Sequence, residues 1–315
     1  MNLLSDAEHF VRAPGWTWYI LFYFFFAGLS GGSYVIASML RLFGRDEDAP
    51  AARLAYYTAF VTLLPCPVLL VVDLTQPTRF WHMLVNTTPG NVGPSFKYWS
   101  PMSVGAWALL VFGAIATVSF VETLGRDGRR VPLARLAARL LSGWLGTLVA
   151  IVGGLFGLFV AGYTGVLLSV SNQPVWSDTW ALGGLFLASG LSASVALLTW
   201  LTRFRRLARY STDFLVRGER WFQILELALI VVFAVTVFQA GTGSMAFGVP
   251  WLVLWVFVLI SLIPGIGGFG VRHASVTPAP AGGAAAVRAP MMVVGPMLVL
   301  LGVLALRAAV IFSAQ

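Results

Sequence analysis

Eight apolar runs, each about as long as a bilayer core is thick, decide what this chain can fold into. They lie at roughly 17–43, 52–72, 103–124, 140–169, 179–201, 217–240, 249–270 and 291–313. About 20 residues rising 1.5 Å each cross about 30 Å of hydrocarbon. No water reaches the backbone there, so each segment must bond its own N–H and C=O groups, which selects helices. The expectation is an all-α, polytopic membrane protein with eight transmembrane helices, residues 1–315 forming one integral membrane domain. Charge agrees, since only 10% of residues are charged where a soluble domain carries about 25%.

The net charge of +8 and a pI near 10.2 invite a nucleic-acid reading, but the distribution of arginine excludes it. Arg41, Arg45 and Arg53 follow the first run, Arg126, Arg129, Arg130, Arg135 and Arg139 the third, and Arg203, Arg205, Arg206, Arg209, Arg217 and Arg220 the fifth. Arg272 and Arg288 follow the seventh. The other side carries only Arg12, Arg79 and Lys97 outside the runs. By the positive-inside rule the arginine-rich side is cytoplasmic and both termini lie on the outer side. The first 15 residues lack a basic n-region and the first run is long enough to span, so no cleavable signal peptide is expected.

Gly28 and Gly32, and Gly153 with Gly157, form GxxxG pairs that let helices approach closely in lipid. AGLSGGS at Ala27–Ser33 echoes SGLSASV at Ser189–Val195. A duplicated four-helix unit accounts for this echo, with residues 1–169 as one bundle and 170–315 as the other. The Pro-, Ala- and Gly-rich segment Val271–Met291 reads as a flexible loop.

Chemistry concentrates in one place. Between the second and third runs lies a long polar loop on the outer side, within Val71–Trp107. It carries Asp73, Arg79, His82 and Lys97, the only lysine in the chain. A loop of this length and polarity is more often functional than a spacer. Asp73 and Arg79 could pair across the Pro77 turn, either as a structural clasp or around a ligand. His82 could exchange protons near neutral pH, or be an ordinary surface histidine. Lys97 lies among Phe96, Tyr98 and Trp99, which suits a carbonyl or phenol headgroup, or a lipid phosphate. Trp16, Trp18 and Tyr19 open the first run as an aromatic belt, and Tyr23, Ser30 and Tyr34 follow on one helical stripe. Tyr163 and Thr164 bring hydroxyls to the outer end of the fourth run, and Asn172, Trp176 and Asp178 follow on the same side. Two ionisable residues lie deeper, Glu226 and Arg307, and buried charge in a membrane is a functional candidate by default.

A single cysteine, Cys66, cannot hold an iron–sulfur cluster. The three histidines, His9, His82 and His273, all fall outside the apolar runs, so no intramembrane haem ligands and no metal site are expected. A flat amphipathic ligand with two oxygen ends and an apolar tail fits the outer polar cluster, and a quinone is such a ligand.

FFAGLSGGSYVIASML in the first run, VVDLTQPTRFWHML, YWSPMSVGAW entering the third run and GYTGVLLSVSNQPVW after the fourth together resemble the NrfD-like, polysulfide-reductase type membrane subunits. The resemblance covers most of the chain, the second half only in outline. It implies a redox-centre-free anchor in the bacterial inner membrane that binds menaquinone or ubiquinone near the outer face. A ferredoxin-like iron–sulfur subunit would dock there, with a molybdopterin or multihaem cytochrome subunit completing the complex. By the resemblance Tyr163 matches the tyrosine that contacts the quinone. Tyr23 stands where relatives carry a polar residue such as histidine. A tyrosine stays protonated to about pH 10, so Asp73 and His82 become the expected proton acceptors. Tyr19, Tyr23, Arg79, Lys97, Tyr163 and Trp176 are the expected quinone contacts, and Glu226 with Ser30 and Tyr34 an expected proton path. Two rival readings remain open, a passive anchor without an active quinone site and a secondary transporter.

Overall fold

The computed structural model describes residues 15–129, 131–202, 204, 212–266 and 284–315. The readings above of His9, Arg12, Arg130, Arg203, Arg205, Arg206, Arg209, Arg272 and His273 concern residues outside these ranges. The first part of the expected loop Val271–Met291 lies outside them too, and from Ala284 the chain is helical.

The helices are α1 (Trp18–Phe43), α2 (Ala49–Leu63), α3 (Pro65–Asp73), α4 (Pro101–Arg126), α5 (Pro132–Leu140), α6 (Trp144–Ser169), α7 (Leu182–Thr202), α8 (Thr212–Gln239), α9 (Gly243–Phe247), α10 (Trp251–Ile266) and α11 (Ala284–Ser313). Seven stretches are long and apolar enough to cross a bilayer: α1, α2 with α3, α4, α6, α7, α8 and α11. The eighth run appears as α10, whose 16 described residues rise about 24 Å, short of a full bilayer core. Large apolar side chains face outward on several of these helices, among them Leu110 and Val118 of α4, Leu148 and Leu155 of α6, and Val231 and Val235 of α8. In water such a surface would be a liability; around an integral membrane protein it is the lipid contact.

Two local features depart from the expectation of plain helices. The long loop contains a short antiparallel ladder, β1 (Val85–Asn86) against β2 (Gly93–Pro94), so the chain is not wholly α. The fourth run starts at Trp144 rather than 140, because Pro132 opens the separate helix α5 (proline at the first helical position fits). The α4–α5 corner is tight, and a Cβ on Gly125 would collide with the Ala134 carbonyl. It is held by charge as well. Buried Glu122 accepts from Arg41 and from Arg126, each at 2.8 Å, and both guanidinium groups also donate to the Leu141 carbonyl at 2.9 and 3.3 Å.

The centre of the molecule is α1 and α7, about four-fifths buried, against about a third or less of α4, α6 and α8. The two echoing segments meet there. A Cβ on Gly32 would collide with Ser194 Oγ and sit 2.8 Å from the Gly190 carbonyl, and one on Gly190 would sit 3.2 Å from Gly28 Cα. Ser194 Oγ donates to the Leu29 carbonyl at 3.1 Å. On the other side of α1, a Cβ on Gly31 would run into the Gly157 carbonyl of α6. The sequence echo therefore marks a helix crossing, where small residues let two backbones touch.

Gly31→Leu is expected to force α1 off α6 and to lower the thermal-unfolding midpoint of the detergent-solubilised protein, since overpacking costs about 1–3 kcal/mol even against side chains and here the obstacle is backbone. Gly154→Ala, whose new Cβ meets only Ser38 at an ordinary 3.4 Å, is the matched control and should leave the midpoint unchanged.

Candidate functional site

A cavity of about 640 Å³ opens where the start of α1, the end of α3, the start of α4 and the end of α6 converge. Its wall includes Trp16, Tyr19, Tyr23, Asp73, Gly105 and Tyr163. Four of the expected site residues thus come together from three separate helices: Tyr19 and Tyr23 from α1, Asp73 from α3 and Tyr163 from α6.

Each is placed by local sequence. Pro65 and Pro67 interrupt the second span and separate α2 from α3, whose last residue is Asp73. Asp73 is half-buried and has no hydrogen bond or ion pair to any described residue; ion pairs join Arg41 and Arg126 to Glu122, and Arg53 to Asp127. The expected Asp73–Arg79 clasp is therefore not formed. Arg79 sits in the exposed 3-10 turn Pro77–Met83, which carries it away from the carboxylate. Tyr163 lies flat where Gly105 has no side chain, since a Cβ there would fall on the ring. Its ring stacks on Phe159 at 5.4 Å, and its hydroxyl donates to the Pro101 carbonyl. With its proton committed, that oxygen still offers lone pairs to a donor in the cavity. Tyr23 is buried, and its hydroxyl makes no protein hydrogen bond among the described residues while it lines the cavity.

Other expected contacts lie elsewhere. His82 is exposed on the 3-10 turn with its ring edge-on to Trp81 at 3.9 Å; its neighbour Met83 reaches the cavity wall and His82 does not. Lys97 is exposed, its backbone N–H bonded to Ser103 Oγ at 3.0 Å. Trp176 is fully buried behind the wall. Its indole donates to the Val310 carbonyl of α11 at 2.7 Å and stacks on Trp16 at 5.1 Å. Trp176 thus supports a wall residue rather than facing the cavity. Asp178 is structural too, accepting from Val175 N–H at 2.8 Å and Thr242 Oγ1 at 2.7 Å, which fixes Val175 at φ 69°.

The expected proton path divides. Ser30 Oγ donates to the Ala59 carbonyl of α2 at 2.7 Å, and the Tyr34 hydroxyl pairs with Ser119 Oγ of α4 at 2.7 Å. Both face the first-half helices. Glu226 lies on α8, against Ser192 of α7 and toward Arg307 of α11. Among the described residues no group of three or more His, Cys, Asp or Glu stands close enough to hold a metal ion.

Two wall features escape a reading of the sequence, Trp16 as a cavity residue and Gly105 as the seat of Tyr163. The signal for Gly105 is faint, a lone glycine four residues past the helix-opening Pro101. Arg307 is visible there as a charge, but its partners are not.

Comparison with known proteins decides the family. The family model described as "Polysulphide reductase, NrfD" matches residues 7–315. The chain belongs to the NrfD family. A polysulfide reductase chain from Wolinella succinogenes is 27% identical over the whole chain and 99% of that protein. Protein NrfD of Escherichia coli is 27% identical over 76% of each protein. A selenate reductase subunit from Mesobacillus selenatarsenatis is 25% identical over 76% of this chain, and the match spans 63% of that protein's length. This NrfD-family chain is an integral membrane protein related to subunits of reductases, and the cavity walls from the ends of α3 and α6 and the start of α4 fall mostly in segments that carried the resemblance, while the α1 wall residues precede them.

Trp176→Phe keeps an aromatic ring behind the wall but removes the indole donor from the Val310 carbonyl. Ser313 Oγ, at 3.4 Å, is a longer and weaker donor to that carbonyl, and a net hydrogen bond contributes about 0.5–1.5 kcal/mol, so the variant should show a lower thermal midpoint in detergent, together with altered Trp16 emission as the stacking partner shifts.

Proposed function

We propose that this chain is the quinol-binding membrane subunit of a multi-subunit oxidoreductase, with the cavity beside Tyr163 as its quinone site. One observation carries the reading. Tyr23 and Asp73 present polar atoms with no protein partner to a cavity that adjoins an apolar hollow of about 500 Å³ across Leu70, Leu74 and Leu109. A ligand with a two-oxygen head and an isoprenoid tail matches that division, since ligand pockets of about 300–1,000 Å³ are mostly apolar with a few placed polar groups. Menaquinone and ubiquinone both have this form.

Bound quinol supplies two electrons and two protons. The Tyr163 oxygen, its proton held by Pro101, accepts from a headgroup hydroxyl. Asp73, free of any cation, is the general base that takes the two protons one after the other, and His82 on the adjoining turn passes each to water. General base transfer needs a group within about 3 Å or one water of the proton it takes, and Asp73 on the cavity wall meets that condition better than His82. Electrons leave for a ferredoxin-like iron–sulfur subunit on the same face, where the exposed turn and loop carry Arg79, Lys97, Trp81, Tyr98 and Trp99. A molybdopterin or multihaem cytochrome subunit completes the complex, as the reductase subunits among the relatives suggest by name. In this reading α10 is the eighth span, the helices form two four-helix bundles, both termini lie outside, and the membrane is the bacterial inner membrane.

The test is a fluorescence-quench titration of the purified complex with a quinol-analogue inhibitor. Saturable binding near one site per protein is expected, weakened about tenfold, or about 1.4 kcal/mol, by Tyr163→Phe and by Asp73→Asn. Lys97→Ala, outside the wall, should leave the affinity unchanged. Absence of saturable binding in an intact complex would make the protein a passive anchor.

A further inference from the structure

Behind the cavity, away from the groups that line it, the second half of the molecule buries a set of polar atoms that the proposed quinol chemistry does not use. On α8, Glu219, Gln223 and Glu226 follow one another at i, i+4 and i+7, which places them on one face. All three are buried. Facing them on α7 are Ser192 and, seven residues nearer the end of the bundle remote from the cavity, Thr199. Since α7 and α8 run in opposite directions, Ser192 stands level with Glu226 and Thr199 level with Glu219. Arg307 of α11 completes the set on the cavity side.

Few of these groups are satisfied by protein. Ser192 Oγ, Thr199 Oγ1, both amide atoms of Gln223, Glu226 Oε2 and Arg307 Nε are buried without a hydrogen-bond partner. Ser192 lies against the Glu226 carboxylate without reaching bonding geometry. Arg307 and Glu226 act on each other electrostatically, yet they are not among the ion pairs within 4.0 Å. Buried polar atoms in native proteins are paired, by ordered water where protein does not pair them. A carboxylate and a guanidinium too far apart to touch, with a run of unpaired donors and acceptors leading from the carboxylate toward the remote end, make a place for bridging water. Gly265 of α10 keeps room in it, since a Cβ there would collide with Gln223 Oε1.

Arg307 is anchored rather than free. Its guanidinium donates to the Phe24 carbonyl of α1, to the Phe186 carbonyl at 3.2 Å and to Ser189 Oγ at 3.4 Å, and it lies 4.9 Å from the centre of the Phe186 ring. Phe24 lines the cavity, so a fixed positive charge stands between the cavity wall and Glu226. Among the described residues, Arg307 is the charged group that faces Glu226. From α7 comes only the hydroxyl of Ser192, and α10 carries no ionisable residue.

We propose that Glu226 is a proton-binding site inside the helix bundle, reached by water along Gln223 and Thr199 from the end remote from the cavity, with Arg307 as the fixed charge that ties it to the cavity wall. Hydronium from that remote side gives its proton to the carboxylate, leaving water and the neutral acid. Loss of the proton restores the carboxylate, and no electron is exchanged at this site. Coupling of that proton to turnover rests on the quinol reading of the cavity; the proton site itself does not.

The experiment uses the assembled complex in lipid vesicles, oriented so that a trapped pH dye reports the side remote from the cavity while a reduced viologen drives the site in reverse, from quinone to quinol. In the wild type, proton uptake from that side should accompany turnover. Glu226→Gln should slow it by about a hundredfold, the lower part of what a positioned proton carrier contributes, while saturable binding of the quinol analogue is kept. Glu226→Asp should restore much of the uptake. Uptake in Glu226→Gln at the wild-type rate would overturn the proposal. If the wild type shows no saturable analogue binding, the quinol reading has failed, and an infrared difference spectrum of the complex across a pH step decides the remainder. A protonated-carboxyl band lost in Glu226→Gln supports the proton site, and its absence from the wild type overturns it.

Discussion

Helices in lipid gain nothing by hiding apolar surface from one another, so what fixes their positions must be close packing and polar contacts. In this molecule both act at the crossing of α1 and α7. Gly28, Gly32 and Gly190 bring the two backbones together, and Ser194 bonds across them to Leu29. Arg307 then closes the crossing from the side of α11. A Cβ on Gly28 would meet its Nη2 at 2.5 Å, so the glycine that permits the approach also makes room for the guanidinium. Bare, a charge there would cost several kcal/mol. Held by the Phe24 and Phe186 carbonyls, it joins three helices at one point.

The cavity inherits its shape from that crossing. With α1 fixed against α6 at Gly31 and against α7 at Gly32, the first turns of α1 stand over the ends of α3 and α6, where Tyr19 and Tyr23 meet Asp73 and Tyr163. The second half of the chain contributes no wall residue but supports the wall from behind. Trp176 links Trp16 to the Val310 carbonyl of α11, and Arg307 links α11 to Phe24. Asp178 joins the loop after α6 to Thr242 after α8. The second half therefore holds up a cavity that only the first half lines.

How much of this is legible in the sequence follows from the reach of each signal. Span lengths are set by the bilayer, so the apolar runs mark most helix ends within a few residues, except at 140–143, where Pro132 and the Arg41–Glu122–Arg126 cluster make a separate corner, and before 291, where helix α11 already begins at Ala284. The echo of AGLSGGS in SGLSASV is legible as a likeness of two segments, but the contact between them is not, because such a likeness does not say which faces meet. Tyr163 and Asp73 are legible as single polar residues at the ends of apolar runs. Arg79 and Lys97 are misplaced as wall residues, since the path of a loop containing a 3-10 turn and a two-residue ladder depends on local turns that composition does not encode. Glu226 and Arg307 stand out as charges. That Glu226 faces α7 and α11 rather than Ser30 and Tyr34 depends on helix rotation, which a chain apolar on most faces leaves unspecified.

Asp73 and Glu226 meet burial in different ways. Asp73 has no cationic partner among the described residues, and the wall around it contributes hydroxyls and apolar rings. Glu226 has one, since Arg307 acts on it electrostatically from the cavity side, in a medium of low dielectric where a charge is felt over distances that water would screen. The same guanidinium is bonded to the carbonyl of Phe24, a wall residue. The charge that faces Glu226 is therefore held in place by the α1–α7 crossing, and a shift of that crossing would reach Glu226 through Arg307.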